Sequence, residues 1–205
     1  MDDQGRDAQG QAIVERVQAR YSIPKLDSVV TLLFYRWAEL LGGYGSLPGK
    51  RLLDLGCGSH GEQWYDSDER EYEPWLCRLL HEAGAYPVGI DAGPLDGEPF
   101  EHHGADLRVP GALGFLPSGS FDSVHSFRLL ALQDDEQRSA MEAEFRRQAN
   151  RLLREGGIFL SDSFAYGRGP LRHCRKKGGA LRDISYETLR ASLRRPGSGP
   201  RSSPP

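Results

Sequence analysis

The 205-residue sequence predicts an α/β protein built on an open, mostly parallel sheet. Three observations point there. A short apolar strand runs into a glycine-rich turn over Arg51–Gly61, RLLDLGCGSHG. From that turn to Phe164, short apolar runs alternate with amphipathic segments of helix length. A second strand, Tyr86–Ile90, leads directly to an acid, Asp91. The length suits one domain with a sizeable core.

Ahead of the turn, Gln9–Arg20 carries Ala12, Ile13 and Val17 and reads as a short peripheral helix. Pro24 introduces Leu26, Val29, Val30, Leu33, Phe34, Trp37, Leu40 and Leu41 at helical spacing, and Gly42-Gly43 stops that helix. Leu52-Leu53 form the first strand. At its end the backbone turns sharply, and Gly56 and Gly58 remove the Cβ atoms that would block the turn. The N–H groups of such a turn are expected to face a ligand.

Trp64–Tyr72 is an acidic and aromatic insertion. Pro74 then suits a helix first turn, with Trp75, Leu76, Leu79, Leu80 and Ala83 on one face and Gly84 beyond. Ala92–Phe100, with two prolines and two glycines, leaves no crossover helix before a short third strand near Glu101–Ala105. A loop over Arg108–Gly119 leads into strand four. Asp134–Leu153 is a long helix with Asp134 or Asp135 as its N-cap. Gly156-Gly157 closes it, and Ile158-Phe159-Leu160 is strand five. Ser185–Arg194 reads as a final helix, and the tail after it, RPGSGPRSSPP, has a disordered composition.

Taken literally, Gly56–Gly61 is a GxGxxG dinucleotide fingerprint. Asp54, Glu62, Asp66, Asp68 and Glu69 would then crowd a pyrophosphate with negative charge, which argues against that reading. The stretch DLGCGS, Asp54–Ser59, instead resembles the first motif of the class I S-adenosylmethionine-dependent methyltransferases. The resemblance continues in order. PVGID (Pro87–Asp91) looks like that family's second strand and its acid, and GADL (Gly104–Leu107) like the end of the third. SFDSVHSF (Ser120–Phe127) looks like the fourth strand, and RLLREGGIFLS (Arg151–Ser161) like the helix, glycine turn and fifth strand. About Arg51 to Phe164 is covered. One departure stands in the first motif, where His60 occupies the usual third glycine position and a glycine comes only at 61.

The resemblance implies a Rossmann-like sheet with helices on both faces, S-adenosylmethionine as cofactor, and in-line methyl transfer to a small-molecule acceptor. It implies a division into N-terminal cap helices (1–50), a cofactor-binding core (51–164), a basic segment with a helix (165–194) and a tail (195–205). For the cofactor it points to Asp54, Gly56, Cys57 and Gly58 around the amino-acid part, with Asp54 attracting the ammonium. Asp91, with Ala92 beside it, would meet the ribose hydroxyls. Asp106 and Leu107 would meet adenine, and Ser126 and Phe127 would lie beneath the methionine portion. No catalytic residue is assigned, because positioning an activated donor is the main task. His125, opposite Val124 and Ser126 by strand alternation, reads as a packed histidine, and His60 as an acceptor-side candidate. His102 and His103 point apart, so no metal site is predicted.

The family continues past this point with one more helix and an antiparallel pair of strands. The tail composition predicts that both strands are missing, leaving five strands with strand five as an edge. A second copy of the chain, giving a homodimer, or the basic segment Arg168–Leu181 would then cover that edge. This motivates an alternative function, a cofactor-binding but catalytically idle protein acting through protein interaction.

The net charge of −3 is unevenly placed: from Phe164 onward ten Lys/Arg face only Asp183 and Glu187, and the remainder holds 16 basic against 27 acidic residues. An acidic body excludes wholesale nucleic-acid binding and leaves the basic tail as the place for an RNA acceptor. Cys57, Cys77 and Cys174 form neither a disulfide framework nor a C-x-x-C pattern. With no apolar run of transmembrane length and no leader, no membrane partner is expected, and the location expected is the cytoplasm.

Overall fold

The computed structural model describes residues 3–60, 72–127, 135–162 and 171–193. Its strands are β1 (Arg51–Leu55), β2 (Tyr86–Asp91), β3 (Glu101–Gly104), β4 (Phe121–Ser126), β5 (Leu153–Asp162), β6 (Leu171–Lys177) and β7 (Ala180–Asp183). The helices are α1 (Asp3–Arg20), α2 (Ser28–Leu40), α3 (Trp75–Glu82), α4 (Asp135–Leu152) and α5 (Tyr186–Leu193). The strands form one sheet in the order β3-β2-β1-β4-β5-β6-β7. The first five are parallel, β6 is antiparallel to β5, and β7 is antiparallel to β6. Strand order reverses between β1 and β4, so the crevice beyond their carboxyl ends is the topological switch point, where open α/β sheets bind ligands.

Strand alternation sorts the core into two layers. Leu52 and Leu160 project to one face and pack with Phe34, Trp37, Leu79 and Leu189 from the helices. Leu53, Leu55, Val124 and Phe159 project to the other and meet Phe145, Ala149 and Leu152 of α4. The fold is therefore the Rossmann-like α/β arrangement that the strand-end motifs predict. Helix α1 is not peripheral, because Ile13, Val14 and Val17 are buried in the first layer. Helix α2 starts on Asp27, whose carboxylate accepts the N–H groups of Val29 (2.5 Å) and Val30 (3.3 Å). It is pinned to the sheet where Trp37 Nε1 donates to Ser123 Oγ at 2.9 Å, and Ser123 in turn donates to the Ile158 carbonyl at 2.9 Å.

The expected five-strand sheet is corrected to seven. The basic segment itself supplies the added strands: β6 pairs along β5 from Ile158↔Arg175 to Asp162↔Leu171. Strand five is therefore no edge, and a homodimer through it has no ladder to join. Gly178 and Gly179, at φ 61° and 76°, make the two-residue hairpin turn that positive φ at both positions permits. The Glu155 carboxylate accepts both of their N–H groups, at 2.6 and 3.3 Å.

Two cations of this segment have partners within the fold. Arg172 pairs with Glu142 at 2.8 Å. Lys176 Nζ donates to the Asn150 and Leu153 carbonyls at the end of α4, at 2.6 and 2.7 Å. Burial holds the Arg175 pKa below its ordinary value. Strand β5 also begins earlier than Ile158. Its ladder slips between Phe121 and Ser123, and Gly156 at φ 81° sits in the resulting bulge. Most of the Trp64–Tyr72 insertion and the whole of the tail lie outside the described residues. Among the described residues, no helix is long and apolar enough to cross a membrane.

Candidate functional site

The glycine turn is hung on the end of β2. Gly56 N–H and Cys57 N–H both donate to the Ile90 carbonyl, at 2.8 and 3.1 Å. Gly58 N–H donates to Asp91 Oδ2 at 3.0 Å, and Asp91 Oδ1 accepts Gly93 N–H at 3.0 Å. One carboxylate thus clamps the loops that follow β1 and β2. It does so with one lone pair of each oxygen, and each oxygen keeps another for a hydroxyl donor. Ser59 N–H reaches the Tyr72 carbonyl at 3.0 Å and His60 N–H the Pro94 carbonyl at 2.9 Å.

All five successive amides are therefore taken, which corrects the expectation that the turn offers its N–H groups to a ligand. The end of β2 and the returning chain at Tyr72 supply acceptors first. What the glycines provide is room. Gly56 and Gly58 sit at φ 73° and 92°, and a Cβ on Gly58 would lie 2.0 Å from the Tyr72 carbonyl oxygen.

The other candidates divide. Ala92 is exposed beside the clamp. Ala105 N–H donates to the Asp91 carbonyl at 2.8 Å and brings the Asp106–Leu107 turn to the same edge. The Asp106 carboxylate is taken by Arg108, through Nε at 2.9 Å, Nη2 at 2.8 Å and the backbone N–H at 2.9 Å, which hold its pKa down at about 2. The Leu107 side chain packs into the α4-side core. Cys57 turns inward against Cys77, Leu95 and Phe100. Asp54 does the same. It is 4% exposed, and its carboxylate accepts His125 Nδ1–H at 3.0 Å and the Cys77 thiol at 3.7 Å. The expected pull of Asp54 on an ammonium is thus replaced by internal pairing. Ser126 is buried, with its Oγ unpartnered among the described residues. Phe127 follows the strand directly, its ring nearly parallel to His125 at 6.0 Å.

Two arrangements escape a reading of the sequence alone. Asp54 and His125 are register partners on adjacent strands, so their pairing follows from strand order. His125 is packed, as alternation suggests, but as the partner of a buried acid. Arg78 is the second. It lies between the Tyr21 and Trp75 rings, at 4.0 and 4.2 Å, and pairs with Glu73 and with Glu98 (2.5 Å). Glu98 also lies 3.0 Å from His60 Nε2, so this cluster holds the outer side of the glycine turn.

The cysteines are not poised as nucleophiles. Burial pushes the Cys77 thiol well up and Cys174 to about 12. Cys57 is raised as well, its hydrogen bond with Cys77 outweighed by burial and by Asp54 and Asp91.

No protein-family model and no curated protein matches the sequence. Solved structures do. An S-adenosylmethionine-dependent methyltransferase from Mesorhizobium loti is 27% identical, over 62% of this chain and 50% of its own, at a TM-score of 0.39. One from Archaeoglobus fulgidus is 19% identical, over 65% and 51%, at 0.44. The methyltransferase MycE of the mycinamycin biosynthetic pathway, in complex with Mg and SAH, is 16% identical, over 73% and 36%, at 0.47. All three are methyltransferases. The chain spans about half or less of the length of each.

Proposed function

We propose that the chain binds S-adenosylmethionine at the carboxyl edge of β1, β2 and β4 and transfers its methyl group to a small-molecule acceptor. The observation that carries this is Asp91, fixed at the topological switch point by Gly58 and Gly93 with hydroxyl-accepting lone pairs left over. The donor set fits the cofactor there. An acid with unused acceptor capacity suits two ribose hydroxyls, and the Phe127 ring suits the methionine chain. Asp106 and Leu107 flank the adenine position, the former through a carboxylate it shares with Arg108.

S-adenosylmethionine supplies a methyl group already activated on a sulfonium. The chain's own work is to hold donor and acceptor in line and to exclude water, which supplies up to ~7–11 kcal/mol in favourable cases. The residues before β1 serve as the cap. The idle-protein reading loses one of its two premises once β6 and β7 complete the sheet, and the RNA reading weakens with Lys176 engaged by the Asn150 and Leu153 carbonyls. The cytoplasm suits a chain whose three cysteines are all free.

Thermal melts test the ligand class. S-adenosylhomocysteine at saturating concentration should raise the melting temperature and nicotinamide dinucleotides should not. A shift with the dinucleotides alone would overturn the reading.

A further inference from the structure

Cys57 and Cys77 meet beneath the glycine turn. With Leu95 and Phe100 they form a small buried cluster of their own, apart from the two main layers of the core. Cys57 stands in the loop after β1, and Cys77 in the first turn of α3. Ser59 N–H donates to the Tyr72 carbonyl at 3.0 Å, so the chain is already back at the turn when α3 begins. Both thiols are free, and a hydrogen bond from Cys77 favours the thiolate of Cys57. Cys174 belongs to a different cluster, the α4-side layer, where its thiol donates to Asp183 Oδ1 at 3.1 Å.

The remaining hydrogen bonds of the two sulfurs lead into the candidate site. Cys57 Sγ donates to the Gly58 carbonyl at 3.3 Å, and Gly58 is the residue whose N–H holds Asp91. Cys77 Sγ donates to Asp54 Oδ2 at 3.7 Å, and Asp54 holds His125. Cys57 Sγ also fills the space over Gly89, where a Cβ would lie 2.8 Å from it and 3.1 Å from the Phe100 ring. The sulfur is therefore wedged between β2 and α3. Two bonded sulfurs lie about 2 Å apart, closer than any non-bonded contact. Joining them draws the turn toward α3 or α3 toward the turn. A disulfide also carries no S–H donor, so the Gly58 carbonyl and Asp54 Oδ2 each lose a hydrogen bond.

We propose that Cys57 and Cys77 are an oxidation site, at which a peroxide converts the two thiols to a disulfide that fastens the glycine turn to α3 and loosens the Asp91 clamp on the cofactor. The effect on the cofactor rests on the methyltransferase reading; the disulfide does not. Cys57 reacts first, being 7% exposed against 0% for Cys77. Its thiol gives up a proton, and the thiolate attacks the peroxide O–O bond, leaving a sulfenic acid and, with that proton, one water. Cys77 sulfur then attacks the sulfenic sulfur. The S–S bond forms, the S–O bond breaks, and the departing hydroxide takes the Cys77 proton as a second water. Two thiols lose two electrons, and one hydrogen peroxide is reduced to two waters. Burial raises both thiols above their ordinary range and slows the first step. The pair thus answers sustained oxidation and not a brief pulse. The second step joins side chains already in contact, so it outruns capture of the sulfenic acid by an outside thiol.

The full chain, reduced and freed of reductant, is treated with hydrogen peroxide over hours, alkylated, and mapped by mass spectrometry. A Cys57–Cys77 cross-linked peptide is expected, with Cys174 alkylated, and dithiothreitol should abolish it. No linkage between the two in the folded wild type, or a linkage through Cys174 instead, would overturn the oxidation site. Cys77→Ala should accumulate a sulfenic acid at Cys57 that dimedone traps, where the wild type gives the disulfide. A dimedone adduct on Cys174 alone would count against Cys57 as the reacting sulfur. The wild-type map needs no variant, so it decides even where Cys77→Ala does not fold. In calorimetric titrations the oxidised wild type should bind S-adenosylhomocysteine severalfold more weakly than the reduced chain, with dithiothreitol restoring the affinity. Equal affinity in the two states, with the disulfide mapped, would overturn the loosened clamp. No binding to the folded, reduced chain would overturn the donor reading, and a mapped disulfide would still establish the oxidation site.

Discussion

The carboxyl edge of the sheet treats its polar groups in two ways. Around β1 and β2, each amide from Gly56 to His60 has an acceptor, and Asp91 ties the two loops together. Around β4 and β6, Ser126 Oγ, His125 Nε2 and His173 Nε2 are buried without partners among the described residues. The first region is a finished scaffold whose shape does not wait for a ligand. The second carries a standing cost, on the order of 1–3 kcal/mol for each unsatisfied group. Such groups persist in native folds where chemistry or a bound water uses them. The difference separates a part of the edge whose backbone amides are all engaged within the fold from a neighbouring part that keeps buried polar atoms without partners among the described residues.

Removing the support of the finished scaffold should have the largest effect. Arg78→Leu leaves Glu73 and Glu98 as buried charges without their cation, and a loss of about 3–5 kcal/mol is expected. In a domain of this size that lowers the melting temperature by roughly 10 °C; an unchanged melt would show that the cluster holds nothing. Gly58→Ala comes next. Its φ of 92° and the Tyr72 carbonyl in the way of a Cβ predict a cost of about 2 kcal/mol in a denaturant titration.

On the unfinished side the effects are smaller and their signs differ. His173 has a folded-state pKa below 6.5, so the unfolded chain binds its proton first as pH falls. Stability from this group is therefore fully present above pH 6.5 and declines between 6.5 and the lowered value. His173→Gln should flatten that slope in melts taken from pH 5 to 7.5. Ser126→Ala removes a buried hydroxyl without a partner, so stability should stay level or rise by up to about 1 kcal/mol. A clear loss would mean that Ser126 is satisfied.

The two regions were not equally legible in the sequence. The strand–glycine turn, Asp91 and the order of strand-end motifs placed the first five strands, because each rests on local chemistry within a few residues. Strands β6 and β7 were missed because LRHCRKK has no apolar alternation; Arg172 pairs with Glu142 at the surface, and Lys176 is taken by the Asn150 and Leu153 carbonyls. The one local signal was Gly178-Gly179, a hairpin turn in plain sight. Asp54 and His125 are 71 positions apart, and only the β1–β4 register brings them together. The engaged amides of the turn escaped for the same reason, since their acceptors belong to Ile90, Asp91, Tyr72 and Pro94.

The central claim, that Asp91 at the switch point reads the ribose of an S-adenosylmethionine-type ligand, is met most directly by calorimetric titration of the wild type and Asp91→Asn with S-adenosylhomocysteine. Asn keeps the side-chain size and one acceptor oxygen; it gives up one of the two bonds to Gly58 and Gly93 together with the charge-assisted hydrogen bonds to the ribose, which contribute about 1.5–3 kcal/mol each. Binding by the wild type and an affinity at least tenfold weaker in the variant, with both proteins folded, is the result predicted. Equal affinity in the two, or no heat from a folded wild type, would contradict it.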